Sequence, residues 1–256
     1  MVDGLAKKIV TPAEAEVSVS DLRRNVSTAF RSAVIRPIIL LVLFEGPIWR
    51  LKPGMSEYRF EQLETLSLSR MYLKALPNGE KDKLRRMAAD YLEFRRRVDR
   101  FLETHFGSVC DQSCYQSRLS ACCSREGIIT FFADVVINLL FSNENEIDGL
   151  TSALQRESEE FKCVYLSPAG CRWRIKPIVC QMFLCEPAKA RVFRQQPEAA
   201  AEWLELERQR KNFTWPDRPV LFDMLEKYFI AMGCSSPLMY MHQSPGLLRV
   251  KQKAGI

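Results

Sequence analysis

Nine cysteines occur in this chain of 256 residues, and eight of them fall between Cys110 and Cys185 in two groups of four. The first group is Cys110-x3-Cys114-x7-Cys122-Cys123, and the second is Cys163-x7-Cys171-x8-Cys180-x4-Cys185. Thiolates are soft anionic ligands. Zinc takes four of them in a closed tetrahedron at about 2.3 Å, and iron–sulfur clusters are likewise held by four cysteines. All eight are therefore candidate metal ligands. The adjacent pair Cys122-Cys123 leaves two arrangements open. Neighbouring side chains of extended chain point opposite ways, which would serve two centres of four; a tight turn would instead bring both to one centre and leave other thiols around it. Cys234, at the end of an apolar helical stretch, reads as a small core hydrophobe.

Charge supports a sulfur site in the second group. Residues 161–196 hold Lys162, Arg172, Arg174, Lys176, Lys189, Arg191 and Arg194 against Glu186 alone, an excess equal to the +6 of the whole chain. Such cations offset the negative charge of a thiolate centre and favour metallation; a basic surface for an acidic partner is the rival reading. The +6 balance is mild, so nucleic acid is not expected as a partner. His105 and His242 are the only histidines, which leaves little for a His-rich metal site or a His-centred triad. His105 reads first as a cation at a helix C-terminus. His242 could approach a site only through tertiary folding.

The second group and its surroundings are recognisable. Cys163-Val164-Tyr165-Leu166, Gly170-Cys171, Lys176-Pro177, Cys180-Gln181-Met182-Phe183 and Cys185 resemble the YkgJ-like cysteine-cluster family, bacterial proteins with a zinc- or iron-chelating domain. The match spans residues 108–187, with Cys110, Cys114, Cys122 and Cys123 in the position of the family's opening half. Two departures stand out: the first-group spacing is expanded, and Lys176 and Gln181 replace arginines. The resemblance implies that the eight cysteines are metal ligands. The cysteine pattern is also similar to that of flagellin lysine N-methylases, but no glycine-rich nucleotide loop accompanies it.

The elements that must position these residues read as mainly α, an irregular helical domain with Cys-rich metal-binding loops between helices. A composition of 47% hydrophobic and 27% charged residues excludes disordered, collagenous and coiled-coil chains. Residues 1–107 read as a helical lead-in packed on the core, and 108–256 as the cysteine-cluster domain with C-terminal helices. Helices are expected over 20–32, 58–75 and 80–106, the last ended by Gly107. Its eight Lys/Arg and six Asp/Glu between Glu80 and His105 describe a solvated face. Residues 128–141 are apolar nearly all round and predict a buried central helix. A further helix starts at Asn143, with Ile147, Leu150, Leu154 and Phe161 as its stripe. Helices over 197–211 and 217–232 close the fold, with Gly233 as a stop, and the tail from Ser235 reads as extended. The acidic run 143–148 and the pair Glu159-Glu160 read as helix-start and solvent features. Tyr165 and Trp173 would shield a centre or pack in the core.

The apolar run Pro37–Phe44 is eight residues long, far short of the roughly 20 needed to cross a bilayer, and no apolar secretory segment opens the chain. No membrane partner and a cytoplasmic, reducing location are therefore expected, where clustered thiols bind metal rather than form disulfides. Eight thiols exceed what one structural zinc needs, so an iron–sulfur centre of the [4Fe–4S] type is favoured over zinc, with an unidentified protein or redox partner. The alternatives are a structural zinc interaction module and a cluster-containing protein-modifying enzyme with a cavity beside Cys110–Cys123.

Overall fold

A computed structural model describes residues 55–112, 123, 129–156 and 162–256. The expected helix over 20–32, the apolar run 37–44, Cys114, Cys122, Glu159-Glu160 and Phe161 lie outside the described residues. The described part is mainly helical. Its elements are α1 (Glu57–Ala75), α2 (Asn78–Met87), α3 (Ala89–Cys110), α4 (Phe132–Phe141), α5 (Glu144–Gln155), β1 (Leu166–Ser167), β2 (Gly170–Cys171), α6 (Ile178–Gln181), α7 (Glu186–Gln195), α8 (Pro197–Thr214), α9 (Leu221–Ala231), α10 (Tyr240–Gln243) and α11 (Pro245–Ala254).

The centre of the fold is α4. Every residue from Phe132 to Leu140 is buried, as an all-round apolar helix requires. Helices α1, α2 and α9 pack against it, α1 also packs on α5, and α3 lies against α7 and α8. Stacked and edge-on rings fill the seams: Tyr91 meets Phe222, Phe132 meets Phe229, and Phe101 stacks on Trp203. Helix ends are capped locally. Asn143 and Glu146 form a reciprocal capping box on α5. At its other end the buried Arg59 of α1 donates to the Leu154 carbonyl through Nε and Nη2. Among the described residues, no helix is long and apolar enough to cross a membrane.

Four sequence expectations are corrected. The stretch 80–106 is two helices, broken at Ala88 (φ −87°, ψ −2°) with no Pro or Gly to mark the break. Gly107 does not end the second; α3 continues to Cys110 because Phe106, 1% exposed and edge-on to Phe193, holds its last turn against α7. Helix α9 starts at Leu221 rather than 217, since Pro219 drives the residue before it out of helical geometry. The tail is not extended. It forms α10 and α11, with Pro245 in the first turn of α11 and Gly255 beyond its end at φ +71°.

Candidate metal centre

A two-residue turn sets the second cysteine group. β1 and β2 pair antiparallel around Pro168-Ala169, with Leu166 opposite Cys171 and Ser167 opposite Gly170. Gly170 takes φ +102°, a conformation open to glycine and strained for side-chain-bearing residues. Cys163 enters this hairpin through a turn: its N–H donates to the Cys123 carbonyl at 3.0 Å, and its own carbonyl accepts from Leu166 at 3.0 Å. These turns aim backbone donors at sulfur. The N–H groups of Tyr165 and Leu166 face the Cys163 thiol, and that of Trp173 faces the Cys171 thiol.

Cys180 reaches the same neighbourhood from α6, and α4 sets its position. Asp134 Oδ1 accepts the Ile178 N–H at 3.0 Å, and Asn138 Oδ1, one turn later, accepts the Ile175 N–H at 2.9 Å. Two polar side chains on a buried helix thus fix the segment between Cys171 and Cys180. Buried polar groups are expected to find partners of this kind.

The thiols of Cys163, Cys171 and Cys180 lie within electrostatic reach of one another. Burial pushes Cys163 up to about 11, and a Cys171 thiolate nearby adds to it. Burial pushes Cys180 up to about 12, with Cys163, Asp134 and Cys171 raising it further and Arg95 opposing. Burial also raises Cys171, against the pull of the Trp173 N–H and Lys176. These thiols are therefore protonated near neutrality unless a cation draws off their protons. Tyr58 and Tyr165 stand beside them, and both phenols are raised, chiefly by burial and then by neighbours that include Cys163 and Cys180. Tyr58 Oη is buried near Thr130 without hydrogen-bond geometry to it.

The remaining cysteines fall differently. Cys123 is half-buried and joined to Cys163 through the backbone; Cys110 is exposed at the end of α3; Cys185 is half-buried just before α7. Cys234 is 3% exposed in the hydrophobic core. Among the described residues, no three His, Cys, Asp or Glu side chains stand close enough to hold one ion.

No protein-family model, curated protein or solved structure matches this chain.

The histidines are engaged elsewhere. His105 does not stand at the end of its helix, because α3 runs past it to Cys110; its Nδ1 pairs with Gln196 Oε1 at 2.5 Å. His242 sits against Glu226 at 2.9 Å and Asp223 at 3.5 Å. Tyr165 and Trp173 are both buried, edge-on at 5.3 Å. Sequence reading missed Tyr58, Arg95, Asp134 and Asn138. The last two carried a signal: polar residues four apart on an otherwise apolar helix lie on one face and need partners when buried.

Proposed function

We propose that this chain is a cysteine-cluster metal-binding protein whose centre is iron–sulfur and serves electron transfer or a redox step with a protein partner in a reducing compartment. The observation that carries the reading is that Cys163, Cys171 and Cys180 lie within electrostatic reach of one another in one half-buried neighbourhood, with backbone N–H groups facing two of the sulfurs. The donor types are those of a metal centre, although the described thiols do not stand close enough to hold one ion. Thiolates are the ligands of such centres, N–H···S bonds tune them, and the buried Tyr58 phenol lies within electrostatic reach of Cys163 and Cys180. A bound cluster would supply one-electron chemistry. The chain's own part is to hold the thiols, exclude water with Tyr58, Tyr165 and Trp173, and offset charge with Arg95 and Lys176. Further donors to complete the set come from Cys110, Cys114, Cys122, Cys123 and Cys185. The order of cysteines and the Lys176-Pro177 element support kinship with the YkgJ-like family.

Anaerobic purification followed by iron, zinc and acid-labile sulfide analysis tests this. Brown protein with iron and sulfide is expected. Stoichiometric zinc without sulfide would replace the redox reading with a structural zinc module, and metal-free protein after anaerobic reconstitution would remove both.

A further inference from the structure

A cavity of about 280 Å³ opens between α3 and the segment leading into α6. Four cations line it, Arg95, Arg96, Arg174 and Lys176, against the single carboxylate of Asp99. That carboxylate is already engaged by the Gln181 amide. Arg174 pairs with Glu146 at 3.3 Å and Arg96 with Glu93 at 2.5 Å. Lys176 has no ion pair among the described residues.

Arg95, 5% exposed, is the buried cation of the site. Its Nη1 donates to Tyr91 Oη at 2.8 Å and its Nη2 to the Lys176 carbonyl at 2.7 Å, while Nε–H is buried without an acceptor. Gln181, 6% exposed, leaves its acceptor Oε1 without a donor, which does not by itself favour an anion. The unpaired Lys176, and the buried Arg95, which keeps one N–H without an acceptor although Asp134 lies near it, are donors that favour an oxyanion. The apolar part of the lining is Leu92, Phe141 and Ile175.

We infer that this cavity binds a small organic anion, a carboxylate or phosphate monoester on an apolar body. The charged head would lie toward Arg95, Arg174 and Lys176, and the body against Leu92, Phe141 and Ile175. The volume lies just below the roughly 300–1,000 Å³ usual for drug-sized ligand sites, so only a small molecule fits. The same two cations also act on the thiols, Arg95 on Cys180 and Lys176 on Cys171, so the anion would bind next to the proposed metal centre. Anion binding needs no metal, and it goes beyond the metal reading without resting on it.

The test is calorimetric titration of the purified full chain, at constant ionic strength, with phenyl phosphate, benzoate and the neutral benzyl alcohol. Saturable one-to-one binding of at least one of the two anions is expected, and none of the alcohol; the tighter anion identifies the head group. Lys176→Gln and Arg174→Gln should each weaken binding about tenfold, the loss of one charge-assisted hydrogen bond, with unchanged melting temperature. Arg194→Gln, on α7 and outside the cavity lining, should leave it unaltered. No saturable binding of either anion overturns the assignment, as does equal binding of the alcohol or equal weakening by Arg194→Gln.

Discussion

Asp134 Oδ1 accepts the backbone N–H of Ile178 at 3.0 Å, two positions before Cys180, while its Oδ2 accepts the Phe131 N–H at 3.1 Å. One carboxylate thereby joins the start of α4 to the start of α6, and the most buried helix of the fold holds the loop that carries a candidate ligand. Burial raises this carboxyl to about 6, with Arg95 and the two backbone donors opposing. The cation that lines the anion cavity is therefore also the principal electrostatic neighbour favouring the charged form of Asp134.

Asp134→Ala removes both acceptors and leaves the Ile178 N–H buried without one, so it should destabilise the protein by about 2 kcal/mol near neutrality. The pH dependence has a definite sign. The folded value lies above the unfolded one of about 4, so the contribution of this group is fully present below that pH and fades as pH rises through about 6. Urea unfolding of both proteins at mildly acid and neutral pH checks this, since other groups cancel in the difference. A gap that widens toward neutral pH would contradict the raised value.

Gly170→Ala places a side chain at φ +102°, where no neighbour lies within 4 Å of the added carbon, so the strain is of the backbone alone. A cost of about 1–2 kcal/mol is expected. Because Gly170 directly precedes Cys171, bound metal should fall as well. Asn, which tolerates positive φ better than Ala, should recover part of both losses. Melting temperature and metal content measured on the same preparations separate the two effects.

Cys180→Ser and Cys234→Ala should part company. The first removes one of the three thiols within electrostatic reach of one another and, on the proposed metal reading, should lower bound metal at least severalfold while the apo fold persists. The second trims a buried side chain in the core, costing about 1 kcal/mol with metal content unchanged. Equal metal loss in both variants would mean that the loss follows stability rather than ligation.

What the sequence makes legible is whatever repeats or punctuates. Pro197 at the head of α8 and Gly233 after α9 act through backbone conformation and fall where expected. Periodicity finds α4 and α5 but not their bounds: α4 starts at Phe132 rather than 128, and α5 ends at Gln155, before Phe161 of the expected stripe. The break at Ala88 and the passage of α3 through Gly107 escape such a reading, because tertiary packing decides them. The helix α7 was hidden for the opposite reason. Only Ala188 and Val192 of its ten residues are buried, too few to make a stripe. At the site, cysteine identity and spacing marked the second group, but the side chains that surround Cys163 and Cys180 come from α1, α3 and α4. Side chains such as Tyr58 and Arg95 carry no mark of their distant use.

The C-terminal helix α11 depends on a single buried ammonium. Lys251 Nζ donates to Asp223 Oδ1 at 2.6 Å and to the Met241 carbonyl at 3.3 Å, and lies 3.3 Å from His242 Nε2. Burial alone would raise Asp223, but Lys227 and Lys251 hold its carboxyl below the usual value. The stability this gives is present above the unfolded value of about 4 and is lost as pH falls through the lower folded value. Lys251→Met keeps the length of the side chain and removes the charge, leaving Asp223 with Lys227, whose side chain is 51% exposed, and His242. A loss of about 3 kcal/mol is expected, since the cost falls on a carboxylate at 0% exposure. Lys253→Met, exposed on the same helix, removes the same formal charge without touching Asp223 and should cost only a few tenths of a kcal/mol. Acid unfolding should begin at higher pH in Lys251→Met than in wild type, and amide exchange over residues 245–254 should quicken before the rest of the fold opens. If the two lysine variants melt alike, Lys251 is not the anchor of α11.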